Sequence, residues 1–148
     1  MRFVLTTDQK GSIAEWAIVR AAAELGIGIS RPLTDGERYD LVFDIGSRLI
    51  RVQCKWATIS RGALLVRCRS SRRARSGHRH RCYSAEEIDG IAAYSHELDR
   101  CFFVPIEVVA GRAEVWLRLE PTRNGQAAGV TWADDFDLGR LHFDQKGP

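Results

Sequence analysis

Hydrophobic and polar residues alternate on both sides of Gly46-Ser47, and this pattern predicts a β-hairpin. One strand is expected to run from Tyr39 to Ile45 and the other from Arg48 to Trp56. A two-residue loop places Asp40 directly opposite Gln53, and directly opposed residues project from the same face of a sheet. A four-residue loop keeps that pairing, whereas a three-residue loop shifts it by one residue.

Lys55 shares the face of Gln53, because side chains alternate with a period of two along a strand. The hairpin is therefore expected to bring a carboxylate, a carboxamide and an ammonium group together. One interpretation is an ordinary half-exposed sheet face. The other is a site for phosphodiester hydrolysis, in which Asp40 and the Gln53 carbonyl are ligands for Mg²⁺ or Mn²⁺. In that site Lys55 orients or deprotonates the attacking water and stabilises the developing charge.

An alanine-rich apolar run from Ile13 to Leu25 predicts a buried helix that ends at Gly26. The polar residues Thr6–Asp8 before it are possible N-caps. Glu15 lies inside the run, and from the helix alone we favour a capping box in which Ser12 is the N-cap and Glu15 its partner. The alternative is that Glu15 points into a pocket and supplies a second carboxylate beside the hairpin.

The remaining pattern predicts a mixture of strands and helices. A second capping-box pattern, Ser84-Ala-Glu-Glu87, predicts a helix that extends to about Leu98. The acidic residues within Trp132–Leu141 resemble a metal site, but we favour a solvated helix start. A loop is expected over 121–129. Strands are expected at Ile27–Pro32, Ala63–Cys68, Cys101–Val109 and Ala113–Leu119.

A basic segment between positions 67 and 81 contains seven arginines and no acidic residue. Its serines and glycine predict a flexible loop, and its like charges repel each other unless a polyanion neutralises them. We therefore expect it to contact the DNA backbone, although a merely solvated surface is the alternative. Lys10 and Ser12 are further candidates nearer the scissile phosphate. The arginines are Arg67, Arg69, Arg72, Arg73, Arg75, Arg79 and Arg81.

His78, His80 and Cys82 have a spacing that suits zinc, but a plain basic loop is the preferred interpretation.

The composition is that of an ordinary soluble globular protein. The chain has 148 residues, of which 45% are hydrophobic and 28% charged, with a formal net charge of +3. It contains no run of membrane-spanning length and no signal-peptide pattern, so we expect a cytoplasmic protein with a single domain over residues 1–148. Its four cysteines lack CxxC spacing, and we expect them to be free thiols.

Four motifs in order resemble the PD-(D/E)XK nuclease superfamily, in particular the branch exemplified by a cyanobacterial group I intron homing endonuclease. They are Gly11-Ser-Ile-Ala-Glu15, Arg38-Tyr-Asp-Leu-Val42, Arg51-Val-Gln-Cys-Lys55 and Phe102-Phe-Val-Pro105, with a looser continuation into Pro121-Thr-Arg-Asn-Gly-Gln126. Tyr39 replaces the proline of the motif, and Gln53 replaces its second acidic residue.

The resemblance implies a restriction-endonuclease-like core, with a central mixed β-sheet flanked by helices. It implies Glu15 and Asp40 as acidic site residues, Gln53 as the variant ligand and Lys55 as the catalytic lysine. The expected function is a Mg²⁺- or Mn²⁺-dependent endonuclease that cuts double-stranded DNA, resembling homing endonucleases. One site per chain predicts a homo-oligomer, a dimer or tetramer. The alternatives are a Holliday junction resolvase-like nuclease and a DNA-binding module with a decayed site.

Overall fold

The structure is a computed structural model that describes residues 3–74 and 77–144, except for the side chains of 71–74, 77–79 and 142–144. The helices are α1 (Thr7–Glu24), α2 (Ile106–Val109) and α3 (Leu138–Asp144), and a 3-10 turn (Ala133–Phe136) precedes α3. The strands are β1 (Gly28–Ser30), β2 (Leu41–Asp44), β3 (Leu49–Ser60), β4 (Ala63–Arg67), β5 (Arg69–Ala74), β6 (Gly77–Cys82), β7 (Gly90–Ser95), β8 (Arg100–Pro105) and β9 (Glu114–Arg118).

The long strand β3 is the centre of a seven-stranded mixed sheet. Its first residues pair with β2 in antiparallel register, and its last residues, 58–60, pair with β4. Between them, residues 52–57 pair with β7 in parallel. The strands β1, β8 and β9 complete the sheet, and helices pack against it. The expected α/β architecture, a central mixed sheet flanked by helices, is confirmed.

The predicted hairpin and its register are confirmed. The amide of Ile45 donates to the carbonyl of Arg48 (3.2 Å), and this hydrogen bond closes a turn whose two inner residues are Gly46 and Ser47. Leu41 lies opposite Val52, and this ladder, continued by one residue, sets Asp40 opposite Gln53. Local turn geometry and the period of two were therefore sufficient to determine this part of the fold.

Two hydrophobic clusters cover the two faces of the sheet. One contains α1, whose buried residues Ala14, Ile18 and Ala22 pack with Phe43 and other side chains of β2, β7 and β8. The other lies beneath β4, β9 and α2 and contains no residue of α1. Successive residues of β7 alternate between the two clusters, with Ile91 and Ala93 in one and Ala92 and Tyr94 in the other, because side chains of a strand alternate between faces.

The predicted helix is confirmed, and so is Thr6 as one of its possible N-caps, but the favoured capping box of Ser12 and Glu15 is wrong. The helix begins at Thr7, and Thr6 is the N-cap in a capping box with Gln9. Ser12 and Glu15 lie inside the helix instead. The pairs Thr6/Gln9 and Ser12/Glu15 both fit the capping-box spacing. A helix that is capped at Thr6 is longer, and it gains another turn of backbone hydrogen bonds. Glu15 is thus not used as a capping residue.

The helix predicted from Ser84 to about Leu98 is wrong. Glu87 does turn back onto Ser84, with the amide of Glu87 donating to the carbonyl of Ser84 (3.0 Å), but the chain then enters strand β7. All six residues of β7 are buried, because it lies between β3 and β8. A short apolar run buried on both faces has no period that distinguishes a strand from a buried helix.

The strand predicted over Cys101–Val109 is correct only up to Pro105. The chain continues as the helical turn α2, for which Pro105 is the N-cap. Proline lacks the amide that the ladder needs and fits a strand end. In the described sheet β8 is an edge strand that pairs with β7, a place where proline is tolerated.

The basic segment, predicted as a flexible loop, is instead a two-stranded hairpin of β5 and β6. We call β5 and β6 the basic arm. Arg69 pairs with Cys82 at its base, and Ala74 pairs with Gly77 at its far end. Its serines and glycine suggested a flexible loop, but the hydrogen bonds of a β-ladder are made by the backbone and form with these residues too.

The other predicted strands correspond to β1, β4 and β9, and the predicted loop over 121–129 contains neither helix nor strand. Asp134 and Asp137 both accept hydrogen bonds from the Arg100 guanidinium, at 3.2 and 2.9 Å, so these acids stabilise the start of α3. Of the described helices, none has the length and apolar character that crossing a membrane requires.

Candidate active site

Asp40 lies where β2 separates from β3. Its amide donates to the carbonyl of Val52 (2.9 Å), and its carboxylate accepts a hydrogen bond from the amide of Cys54 (2.9 Å). In the described ladders, residues 53–57 of β3 pair with β7 but not with β2 or β4. The Asp40 carboxylate thus accepts the hydrogen bond from the Cys54 amide that the carbonyl of a neighbouring strand would otherwise accept. Burial raises the pKa of Asp40, while the Cys54 amide and the cations Lys55 and Arg31 oppose the rise.

Gln53 and Lys55 project from β3 on the face that carries Asp40. Gln53 is half-buried, and its amide group makes no hydrogen bond to the described part of the chain. Burial lowers the pKa of Lys55, and the nearby Asp40 carboxylate partly offsets this effect. A half-buried carboxylate beside a half-buried amine, with pKa values shifted in opposite directions, is a combination that is found at functional sites.

Glu15 approaches the same place from α1. Glu15 and Asp40 both line a pocket of about 340 Å³ at the end of β2. Both carboxylates also contribute, after burial, to the raised pKa of Cys54, which lies between Gln53 and Lys55. The structure therefore places the four predicted site residues around one region of the sheet. Their roles in chemistry stay a prediction.

Arg31 is a residue of this pocket that the sequence interpretation missed. Its guanidinium forms an ion pair with the Glu15 carboxylate. It also acts electrostatically on Asp40, since it lowers the pKa of that group. No motif of the sequence marks Arg31, because only the packing of α1 beside β1 brings it to Glu15.

Tyr83 and Arg38 form a second missed feature, on the Lys55 side of the site. The Lys55 Nζ lies 5.4 Å from the ring centre of Tyr83, and the Arg38 guanidinium lies 4.3 Å from the same ring. Burial raises the pKa of Tyr83 to about 12, so its hydroxyl stays protonated at neutral pH. The period of two along the chain put Arg38 on the face of Asp40, and that signal could have found it.

Arg38 also joins the site to the basic arm. It donates to the Ser70 hydroxyl at 2.7 Å and to the carbonyl of Cys82 at 3.2 Å. Glu87 forms ion pairs with both Arg38 (3.0 Å) and Arg81 (3.1 Å). These contacts hold the base of the arm beside Lys55 and Tyr83.

The structure describes the predicted DNA-contacting arginines in part. Arg67 and Arg69 are exposed at the start of the arm. Arg81 is exposed too, but Glu87 neutralises it, so the segment is less uniformly basic than its own sequence suggests. The backbones of Arg72, Arg73 and Arg79 lie in the ladder, while their side chains are outside the described residues, as is the whole of Arg75.

Lys10 and Ser12 both lie in the first half of α1. The Lys10 Nζ is 5.8 Å from the ring centre of Trp56, the residue after Lys55. Ser12 is exposed on the helix surface. Lys10 therefore contacts β3 on the face that α1 covers, and the contact of Lys10 and Ser12 with DNA stays a prediction.

The donor set fits a hard divalent cation. The Glu15 and Asp40 carboxylates and the carbonyl of Gln53 are oxygen donors, which Mg²⁺ and Mn²⁺ prefer. Among the described residues, no group of three His, Cys, Asp or Glu is placed to hold a metal, and this donor set has only two carboxylates beside the neutral Gln53 carbonyl. The zinc alternative included His78, whose side chain is outside the described residues. All four cysteines are free thiols, as predicted.

Comparison with known proteins agrees with this geometry. The sequence profile of a family described as PD-(D/E)XK endonuclease matches residues 5–139. Among solved structures, a bacterial homing endonuclease, I-Ssp6803I, has the same fold, with 27% sequence identity and a TM-score of 0.75. The match covers 97% of this chain and 96% of that one. A search of curated protein sequences found no match. The restriction-endonuclease-like fold is thereby confirmed.

Proposed function

The chain belongs to the PD-(D/E)XK endonuclease family, and we propose that it is a divalent-metal-dependent deoxyribonuclease that hydrolyses phosphodiester bonds of double-stranded DNA. The observation that carries the proposal is the convergence of Asp40, Gln53 and Lys55 on one sheet face, beside Glu15. The similar solved structure is described as a bacterial homing endonuclease, which favours a site-specific cutter of that kind.

Asp40, Glu15 and Gln53 are the residues that would hold Mg²⁺ or Mn²⁺. When bound, such a cation acts as a Lewis acid on the scissile phosphate. Asp40 is pre-positioned for this role, because the Cys54 amide holds its carboxylate in place. Gln53 supplies a neutral donor, so the site carries one negative charge fewer than a site with a third carboxylate.

Lys55 contributes charge and proton transfer. Its ammonium group donates hydrogen bonds to the attacking water or to a phosphate oxygen, where negative charge develops. Its lowered pKa increases the neutral fraction, which can accept a proton from that water. The Tyr83 ring covers one side of Lys55 and limits the positions its amine can adopt.

The basic arm is proposed to bind the DNA backbone, together with Lys10 and Ser12. The exposed Arg67 and Arg69 lead from β4 into the arm, and Arg38 anchors the arm beside the site. Arginine pairs with phosphate through two parallel hydrogen bonds. DNA affinity should therefore fall steeply as salt is raised.

A homo-oligomer, a dimer or tetramer, is part of the proposal, because one site cuts one strand. We also propose that residues 1–148 act as a single domain in the cytoplasm, where DNA is accessible. Light scattering after size exclusion measures the oligomer. A monomer that nicks one strand without making double-strand breaks contradicts this part alone.

The test is cleavage of supercoiled plasmid, linear duplex and a synthetic four-way junction, in Mg²⁺, in Mn²⁺ and in chelator. The wild type should cut only with metal, and Lys55→Ala should lose at least about 100-fold in rate, as for other groups that stabilise transition-state charge. Arg20→Ala is the matched control, since Arg20 is an exposed cation of α1 paired with Glu24.

The results also distinguish the alternatives. Preference for the four-way junction would indicate a junction resolvase. Salt-sensitive DNA binding without cleavage of any substrate, in either metal, would indicate a binding module with a decayed site. Cleavage that survives Lys55→Ala would contradict the proposed site.

A further inference from the structure

The pocket beside Asp40 has an unusual balance of charge for a site that receives a phosphate. Four carboxylates line it, from Glu15, Asp35, Glu37 and Asp40. Arg31 is the one cation among its described lining residues. A phosphate entering this pocket meets mostly like charge, so whichever cation faces it has a large effect on binding.

In the free protein the Arg31 guanidinium is held by Glu15. The Arg31 side chain is 60% exposed and that of Glu15 is 27% exposed. Because the Arg31 side chain is well exposed, water solvates its guanidinium when the pair separates, and an ion pair with such a partner contributes little net free energy. Arg31 can therefore leave Glu15 for a better partner at little cost.

The backbone of Arg31 is fixed even though its side chain is exposed. Arg31 directly follows β1, which pairs with β2 up to Ser30 opposite Val42. Pro32 comes next and favours an extended backbone at Arg31. The guanidinium is thus attached to a fixed backbone near Asp40, the residue before β2, and only side-chain rotation is needed to change its partner.

We propose that Arg31 is a substrate-contacting residue, whose guanidinium exchanges the Glu15 carboxylate for a DNA phosphate when DNA enters the pocket. This inference rests on the proposed nuclease function and adds to it a residue that the family motifs do not mark. A phosphate offers the guanidinium two acceptor oxygens and can therefore replace the Glu15 carboxylate as its partner. The same exchange releases the Glu15 carboxylate to face Asp40 and to become available as a metal ligand. DNA binding and metal binding at this site then strengthen each other.

Two measurements on Arg31→Ala and Arg31→Lys test the exchange. The first is Mn²⁺ affinity in the absence of DNA, by electron paramagnetic resonance. The second is affinity for a short mixed-sequence duplex as a function of salt, in Mn²⁺ and in a Lys55→Ala background that prevents cleavage. Arg20→Ala is again the control, because it breaks an Arg–Glu ion pair of α1 with Glu24, outside the pocket.

Arg31→Ala should bind Mn²⁺ several-fold more tightly without DNA, because Glu15 loses its competing partner. It should bind DNA more weakly, with the salt slope reduced by about one unit. DNA should increase the Mn²⁺ affinity of the parent protein more than that of the variant. Arg31→Lys should keep the salt slope but bind DNA more weakly than arginine, because an ammonium group cannot pair bidentately. Arg20→Ala should change neither measurement.

Weaker Mn²⁺ binding by Arg31→Ala would overturn the inference, since it would mean that Arg31 only holds Glu15 in its ligand position. Unchanged DNA affinity and salt slope would overturn it as well. If the wild type neither binds Mn²⁺ nor cuts DNA, the proposed function fails and the inference with it. If the wild type does both and Arg31→Ala matches it in both measurements, only the inference fails.

Discussion

Gln53→Glu tests whether the hairpin face is a metal site. The substitution keeps the side-chain length and adds one negative charge directly opposite Asp40. In the metal-free protein this charge should destabilise the fold, because Asp40 is already a carboxylate whose burial raises its pKa. With a divalent cation bound, the same charge should become a ligand and increase affinity.

The size of the destabilisation by Gln53→Glu follows from the sheet register. Directly opposed residues have Cβ atoms about 5 Å apart. Two unit charges at about 5 Å repel by about 3 kcal/mol at an effective dielectric constant of 20, and by about 1 kcal/mol in bulk water. Because Gln53 is half-buried, the expected loss of stability is about 1–3 kcal/mol, or roughly 3–9 °C in Tm for a domain of this size.

The assay is thermal unfolding at pH 8 with chelator and with saturating Mn²⁺, together with a Mn²⁺ titration. The loss of Tm should be present in chelator and vanish or reverse in Mn²⁺, and Mn²⁺ affinity should rise about tenfold or more, equivalent to about 1.4 kcal/mol. Near pH 5 the loss should shrink, because repulsion favours protonation of one of the two carboxyl groups.

Gln9→Glu is the matched control. Gln9 is an exposed residue of the α1 capping box, where its side chain accepts a hydrogen bond from the Thr6 amide (2.9 Å). A carboxylate can accept the same bond, so Tm should not fall and Mn²⁺ should have no added effect. The reasoning is refuted if Gln53→Glu behaves like this control, or if Mn²⁺ affinity is unchanged while the protein is destabilised.

Three further predictions concern the stability of the site and the sheet. Asp40→Asn should stabilise the metal-free protein at pH 7, because a raised pKa means that ionised Asp40 opposes folding. In thermal unfolding, the difference in Tm between the variant and the wild type should shrink as pH falls toward 4, because the wild-type carboxyl then becomes neutral too. Gly90→Ala should lower the free energy of unfolding by at least about 1–3 kcal/mol in urea titrations, because an added Cβ would lie 2.3 Å from a ring carbon of Phe103. Gly11→Ala is the control: an added Cβ at this helical site has no neighbouring atom within 4 Å, so the variant should be neutral or stabilising. Tyr83→Leu should reduce the free energy of unfolding by about 1–2 kcal/mol and lower the cleavage rate, because Lys55 and Arg38 lose their aromatic neighbour. Tyr83→Phe keeps the ring and should keep both the stability and the cleavage rate. Equal behaviour of the two variants in urea titrations and cleavage assays would contradict a role for the ring.

Sequence reasoning was most successful where the structure is local. The hairpin could be predicted because a two-residue loop and a period of two determine which residues oppose each other. The face shared by Asp40, Gln53 and Lys55 follows from these two facts without knowledge of the rest of the fold. The α1 helix was likewise marked by its alanine content and the terminal Gly26, although two capping boxes fitted its start equally well.

The tertiary structure decided what depends on contacts between distant segments. The run that became β7 is buried at every position and has no polar residue before Ser95, so only its place between β3 and β8 made it a strand and not a helix. The positions of Glu15 beside Arg31, and of Tyr83 beside Lys55, depend on how α1 and the chain after the basic arm pack against the sheet. Such contacts join residues that no turn or period relates, and they form only when burial of both faces of the sheet fixes the elements in space.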